Sequence, residues 1–521
     1  MAVPAASTDP ADLLAMLNEQ FVDAVDSGRV SPERAQALKP VLDALTQLVR
    51  RPAHDTMERH ADHLARLQEL MQRVTPLLAT AAFAGPAPPT GSRGAEVAQR
   101  LGVLTQRLAQ EFSRPLLGAV ERDVGFDLFL RLARARGGLA DTDETRCAAF
   151  EHDVARPLAH EIDVFGRRHH LMLVRPFWQV PVGAPDPNAI FLGRAGIDGG
   201  PDALAGAIRA LAERRRFRIV TPTTGTEVGQ ATWNAIWSSS VAVFDLRRRV
   251  GLALAGACYE IGLARALGRQ LVIVADTGAP LPFDIEVEPL ALAPGDDLEA
   301  RLGAALDDAA YAPAPRESRS SVADAAAWLV AHASASAVAS VRYAAQMVAD
   351  ASNDPIEVRR RIAVALGLLG DAAPVPVHPA WPGCFPAQGA PARLFHVMPY
   401  LPAWADTVRD AVASACADTG AIYVRGDEVD DARVIRSIWD EIGRASHVLI
   451  DLTESNANVA LELGLAHGTG RRVMVVGHGN ADNNLFPTIC KLRLLPYAVE
   501  DGLERLRQRV RAFLASTPGR R

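Results

Sequence analysis

Cysteine is scarce, at five of 521 residues. Cys147, Cys258, Cys384, Cys416 and Cys490 are far apart, odd in number and without a CxxC pair. That excludes a disulfide-stapled scaffold and a zinc ribbon, and fits a reducing compartment. No apolar run reaches the ~20 residues that span a bilayer. The opening MAVPAASTDPADLL lacks a charged segment leading into an apolar core. A soluble, cytoplasmic protein with no membrane partner is expected. Basic charge is not in excess, since the formal net charge is -6. A general nucleic-acid binder is therefore not expected. The chain has no Walker A string, which argues against a P-loop nucleotidase. It has no His/Cys/Asp cluster at ligand spacing, so no metal is expected.

What is present is apolar material, 49% of residues, and a length that suits three or four domains. Residues 1–165 read as helices: ADLLAMLNEQFVDAV and MERHADHLARLQELMQRVTPLL carry apolar residues at three- and four-residue spacing. They are expected to form an all-helical packing or interaction domain. From 166 to 312 short apolar runs alternate with helical segments (AIFLGR, FRIVTP, SVAVFDL, QLVIVAD), the mark of a parallel sheet with helices on both faces. A helical connector follows at 313–370, then a Pro-rich linker at 371–391. The alternation restarts over 392–518 with RLFHVMPY, AIYVRGDE, SHVLIDL and RRVMVVG. The expected fold class is α/β, with two tandem parallel-sheet domains of flavodoxin- or Rossmann-like type.

The two alternating regions repeat. ATWNAIWSSSVAVFDL (231–246) lies over SIWDEIGRASHVLIDL (437–452) without a gap. Trp233 then meets Trp439, and Asp245 meets Asp451. EIGLARALGRQLVIV (260–274) lies over ELGLAHGTGRRVMVV (462–476), matching Glu260 with Glu462. Four more residues separate acid from glutamate in the first copy, and they are expected in the loop. The tryptophans read as core anchors.

In open parallel sheets, ligands bind beyond the carboxyl ends of the strands. Asp245 and Asp451 stand at such ends. Asn458 reads as the N-cap of a helix from Val459, with Asn456 in the preceding turn. Glu462 then lies near the helix start, where the dipole favours an ionised carboxylate. A buried carboxylate flanked by apolar residues is costly unless used. Gly464 is expected to bring the helix close to its sheet, and His467 lies farther along. A strand-end acid with a helix-borne glutamate suits attack on C1′ of a ribosyl group, or binding of ribose hydroxyls without reaction.

MPY (398–400), RGDE (425–428), DLT (451–453), NANV (456–459) and ELGLAH (462–467) resemble the nucleoside 2-deoxyribosyltransferase-like family, including its TIR-like nucleotide-binding members. The similarity covers about 390–500 well. It covers 189–290 weakly, through FDL (244–246), YEIGLARALG (259–268) and LPFDI (281–285). The resemblance implies a nucleotide-binding α/β domain with a glutamate nucleophile at Glu462 and Glu260 and a strand-end acid at Asp451 and Asp245. It implies phosphate or sugar contacts at Arg425 and Asp427. Met398, Asn456, Asn458, His467 and Tyr259 complete the implied substrate-binding set. Family activities include base exchange, N-glycosidic hydrolysis and NAD cleavage, often in bacterial defence or stress effectors fused to other domains. NAD or a nucleotide is then substrate or ligand, not a resident cofactor. The helical region is expected to serve a protein partner or self-association.

The copies depart from the family pattern differently. The second has Leu461 where the family has an aromatic residue. The first keeps Tyr259 but lacks RxDE and NxNV. An N-glycosidase held back by the helices, a nucleotide sensor without turnover, and a scaffold of degenerate domains all fit. A site shared between copies is the weaker expectation, since each glutamate has its own strand end.

Overall fold

The computed structural model describes most of residues 90–311 and 375–515, with isolated positions between 19 and 43. Most of the helices expected before residue 90, and the connector at 313–370, lie outside the described residues. The first described elements are helices α1 (Arg93–Phe112), α2 (Ala119–Gly138), α3 (Glu144–Phe150) and α4 (Arg156–Gly166), with a π-turn at Glu151–Ala155 between the last two. Val97, Leu101, Leu104, Leu108 and Phe112 recur every three or four residues, and that stripe is the buried face of α1. Asp143 caps α3 by accepting from the Arg146 amide.

The first α/β unit runs β2 (Asp186–Leu192), α5 (Ala203–Arg215), β3 (Arg218–Val220), α6 (Val228–Trp237), β4 (Ser239–Asp245), α7 (Gly251–Ala266), β5 (Gln270–Asp276), β6 (Leu290–Leu292) and α8 (Leu298–Tyr311). The second runs β8 (Arg393–Val397), α9 (Ala405–Thr419), β9 (Ile422–Arg425), α10 (Val434–Arg444), β10 (His447–Asp451), α11 (Ala457–Gly468), β11 (Arg472–His478), β12 (Leu494–Tyr497) and α12 (Glu504–Ala515). Each sheet has five parallel strands, ordered β3-β2-β4-β5-β6 and β9-β8-β10-β11-β12. Counted within each unit that order is 2-1-3-4-5, a doubly wound sheet with its topological switch beside the first strand. Runs such as VAVF and LVIVA form the central strands because both their faces are covered. No helix among the described residues is long and apolar enough to cross a membrane.

The outer faces of the two sheets have separate cores. Ile190, Val241 and Val243 pack with Leu204, Ile208, Leu302 and Leu306 from α5 and α8. Leu394, Leu449 and Val476 pack with Val408, Val412, Leu506 and Val510 from α9 and α12. The inner faces share one core, which takes residues from both sheets and from α6, α7, α10 and α11. Trp233 and Trp439 anchor it, at 0% and 1% exposure.

Helices α7 and α11 meet at two glycines. A Cβ on Gly262 falls 2.2 Å from the Leu461 carbonyl oxygen, and one on Gly464 falls 2.2 Å from the Tyr259 carbonyl oxygen. Gly262 and Gly464 are equivalent in the repeat, as are Tyr259 and Leu461, so the contact is symmetric. Gly464 thus brings helix to helix, not helix to sheet as its sequence position suggested. The extra four residues of the first copy also lie elsewhere than expected. Both strand–helix loops have five residues, 246–250 and 452–456, whereas α7 has 16 residues and α11 has 12. The insertion adds about one helical turn and leaves the buried face in phase.

The Pro-rich linker contains a strand. β1 (Met172–Val174) pairs antiparallel with β7 (Val375–Val377), with Leu173 opposite Pro376. VRPFW (174–178) and VHPAW (377–381) are equivalent at an offset of 203 residues, and Pro376 is Leu173 plus the same offset. A residue facing its own equivalent is what a local two-fold axis requires. The arms then cross over. The Phe177 amide donates to the His467 carbonyl at 2.9 Å, and the Ala380 amide donates to the Arg265 carbonyl at 3.1 Å. Each unit's leading arm therefore ties down the end of the other unit's glutamate helix.

A buried charge cluster docks the helical region on the first unit. Arg93 donates to Glu151 through Nε at 2.9 Å and to Asp307 through Nη1 at 2.9 Å. Arg215 pairs with the same aspartate, and Tyr311 donates to Glu151 at 3.0 Å. These bonds hold Asp307 below its ordinary carboxylate range despite its burial.

Candidate functional site

The strand-end acids differ between copies. In the second, Asp451 is fully buried and accepts from Tyr497 Oη at 2.6 Å, the Thr453 amide at 3.0 Å and the Thr453 hydroxyl. Burial raises its pKa to about 6 against the opposing pull of those bonds. In the first, Asp245 is closed by an ion pair: Arg247 donates through Nε at 2.9 Å and Nη2 at 2.8 Å. Arg247 occupies the place of Thr453, and Leu292 pairs in β6 where Tyr497 pairs in β12. The first copy has replaced a hydrogen-bonded acid with an internal salt.

Strand alternation separates the acids from the glutamates. Val448 and Ile450 face the inner core, and Leu449 faces the outer one. Asp451 shares the face of Leu449, whereas Glu462 rides on α11 in the inner layer. The acid's partners are Thr453 and Tyr497, so it does not orient the glutamate. Met398 is buried in the outer core. Arg425 ends β9, one strand from β8; its guanidinium lies 5.4 Å from the Tyr400 ring centre and 3.7 Å from Asp406. Arg425, Met398 and Asp451 thus gather at the outer carboxyl edge of the second sheet. Asp427 lies outside the described residues.

Asn456, not Asn458, is the N-cap of α11; its side chain accepts from the Asn458 amide at 2.8 Å and the Val459 amide at 3.4 Å. The helix begins at Ala457, two residues earlier than expected, which places Glu462 beyond the first turn. The helix dipole, strongest in the first turn, is therefore less able to favour its ionised form than its sequence position suggested. Glu462 is 4% exposed, its Oε2 is buried without a hydrogen-bond partner among the described residues, and burial alone lifts its pKa to about 8.

Glu260 has a different setting, because the second unit reaches it. Thr488 Oγ1 donates to Glu260 Oε1 at 3.3 Å. Phe486 stacks at a tilt on Tyr259, with ring centres 5.4 Å apart, and its side chain lies against Gly256. A glutamate from one copy and a threonine from the other thus meet in one place. LFPTI (485–489) echoes LPFDI (281–285), and that echo was the available signal for Phe486 and Thr488.

Tyr259 and His467 join the copies. Trp178 Nε1 donates to Tyr259 Oη at 2.9 Å, leaving the phenol proton for His467 Nδ1 at 3.0 Å. Phe177 stacks on the imidazole at 4.2 Å. His467 is 1% exposed, so both residues serve the interface between the glutamate helices. No protein-family model matches the chain, and no curated protein or solved structure matches it either.

Proposed function

We propose that the protein cleaves the base–ribose bond of NAD or a related nucleotide, with Glu462 as the reacting carboxylate and the first unit as a non-catalytic partner. The observation that carries this reading is the buried Glu462 side chain, whose Oε2 has no hydrogen-bond partner among the described residues. Such a group costs stability and is retained where chemistry needs it. A nicotinamide ring attached to ribose is cationic. Its approach supplies the counter-charge that Glu462 lacks and favours the carboxylate form. The carboxylate then bonds to C1′ as the C–N bond breaks, and the bonding pair leaves with nicotinamide, which departs neutral and needs no acid. Water next opens the glycosyl ester, releasing ribosyl product and restoring Glu462. Arg425, at the carboxyl edge of the second sheet, holds phosphate, while Asp451 stays on the far face of its strand with Thr453 and Tyr497 and takes no part in the reaction. The closed Asp245–Arg247 pair supports assigning chemistry to the second unit.

The test is release of free base from NAD and a nucleotide panel, followed by chromatography. Glu462→Gln abolishes release, whereas Glu260→Gln retains it. Because the Glu462 pKa is about 8, kcat/KM rises with pH up to about that value. Saturable binding with no base release at any pH selects the second reading, a nucleotide sensor, which the burial of both glutamates between the units favours.

A further inference from the structure

A cleft lies at the opposite end of the first sheet from its strand-end acid. Its free volume is about 190 Å3, room for a phosphate carrying one small substituent. Three segments build its wall: His160 from α4 with Arg167 at its C-cap, Trp237, Leu267 and Arg269 from the first unit, and His378 after β7. An adjoining cleft shares His160 and Arg167 and includes Asp163. Asp163 is bound to Arg167 at 2.6 Å.

Arg269 is the unusual member. It is 7% exposed and has no carboxylate partner among the described residues. Its Nε donates to the Ile236 carbonyl at 3.2 Å and its Nη2 to the Trp237 carbonyl at 2.8 Å. Those carbonyls cap the end of α6, which offers only a fraction of a charge. Burial and the repulsion of Arg167 lower the Arg269 pKa to about 9, and the same two arginines add to the burial that lowers His160 to about 4. A solvated capping arginine explains none of this. A full guanidinium charge in a cleft wall, with no carboxylate of its own among the described residues and beside an Arg167 that already holds Asp163, is set up to receive an oxyanion.

We infer that this cleft binds a phosphate-bearing small molecule, with Arg269 as the anion contact and Trp237 and Leu267 as an apolar wall for the remainder. The site is independent of the glycosidase reading, since it shares no residue with it. An occupant touches α4, the first unit and the arm leading to the second unit together.

The test is calorimetric titration of the full chain with inorganic phosphate and with phenyl phosphate, at ionic strength held constant with chloride. Both are run on wild type, Arg425→Gln and Arg269→Gln, with hydrogen exchange on wild type. Phenyl phosphate saturates one site more tightly than phosphate, affinity persists in R425Q, and it falls at least tenfold in R269Q. Exchange slows over 160–167 and 267–269. Phosphate binding as tight as phenyl phosphate leaves the free anion as the ligand and removes the apolar wall from the proposal. No saturable binding of either anion, equal affinity in R269Q, or protection confined to 396–425 and 451–462 overturns it. The exchange measurement needs no variant, so it decides even where R269Q does not fold.

Discussion

Glu462 is the residue whose charge state sets the most testable consequences. Its pKa is about 8 in the folded chain against an ordinary 4.5. A pKa raised by folding gives stability that is complete below the unfolded value and is lost as pH climbs through the folded one. Glu462→Gln removes that loss. Unfolding free energy is expected to be near wild type at pH 4 and higher by roughly 4 kcal/mol at pH 8. Urea titration at both pH values checks it; a difference of the same size at each would show that protonation is not the cause. Tyr259→Phe acts in the other direction, because it removes the acceptor of Trp178 and the donor to His467. A cost of about 1–3 kcal/mol is expected, with Tm as the readout. The sequence marked Glu462 through its apolar flanks and its repeat at Glu260. It gave no sign of the protonation state, which depends on α7 packing over α11 from some two hundred positions away. The cap of α11 is ambiguous in the sequence for a local reason. Asn456 and Asn458 both suit capping, and only the backbone conformation distinguishes them: Asn456 is extended at φ −64°, ψ 129°.

At the scale of elements, the strands were legible because a buried parallel strand needs a continuous apolar run bounded by turns. The repeat was legible because both copies keep the same residues at the same junctions. The arms were not. β1 and β7 have three residues each, are rich in proline around them, and pair across two hundred positions, so no local pattern announces them. Nor was the use of Gly262 and Gly464, since a helical glycine reads the same whether it faces a sheet, a ligand or another helix. Their role yields a paired prediction. Gly262→Ala or Gly464→Ala drives a methyl against a backbone carbonyl and is expected to cost about 2–4 kcal/mol. Gly206→Ala in α5, where nothing lies within 4 Å, is expected to be neutral or to stabilise by about 0.5–1 kcal/mol. Denaturant midpoints compare them. Equal effects at all three glycines would mean that helix propensity, not the α7–α11 contact, governs the first two.

At the scale of the whole molecule, the described units are better viewed as one folded body than as beads on a linker. The inner core mixes residues of both sheets, the arms exchange, and Thr488 reaches Glu260. A symmetric dimer whose protomers became joined in one chain leaves this pattern. Joining also frees the halves to diverge, which explains why one copy holds Arg247 on its acid and the other Thr453 and Tyr497. The physical consequence concerns autonomy. Residues 371–521 expressed alone expose the face of α11 that α7 covers, and residues 166–312 alone expose the face of α7. Apolar faces of that kind do not stay in water as monomers. Each half is therefore expected to self-associate through its glutamate helix or to precipitate, and the two mixed are expected to form a 1:1 heterodimer. Sedimentation velocity of each half and of the mixture checks this. Two stable monomers that ignore each other would mean that the shared core contributes little and that the units fold as independent domains.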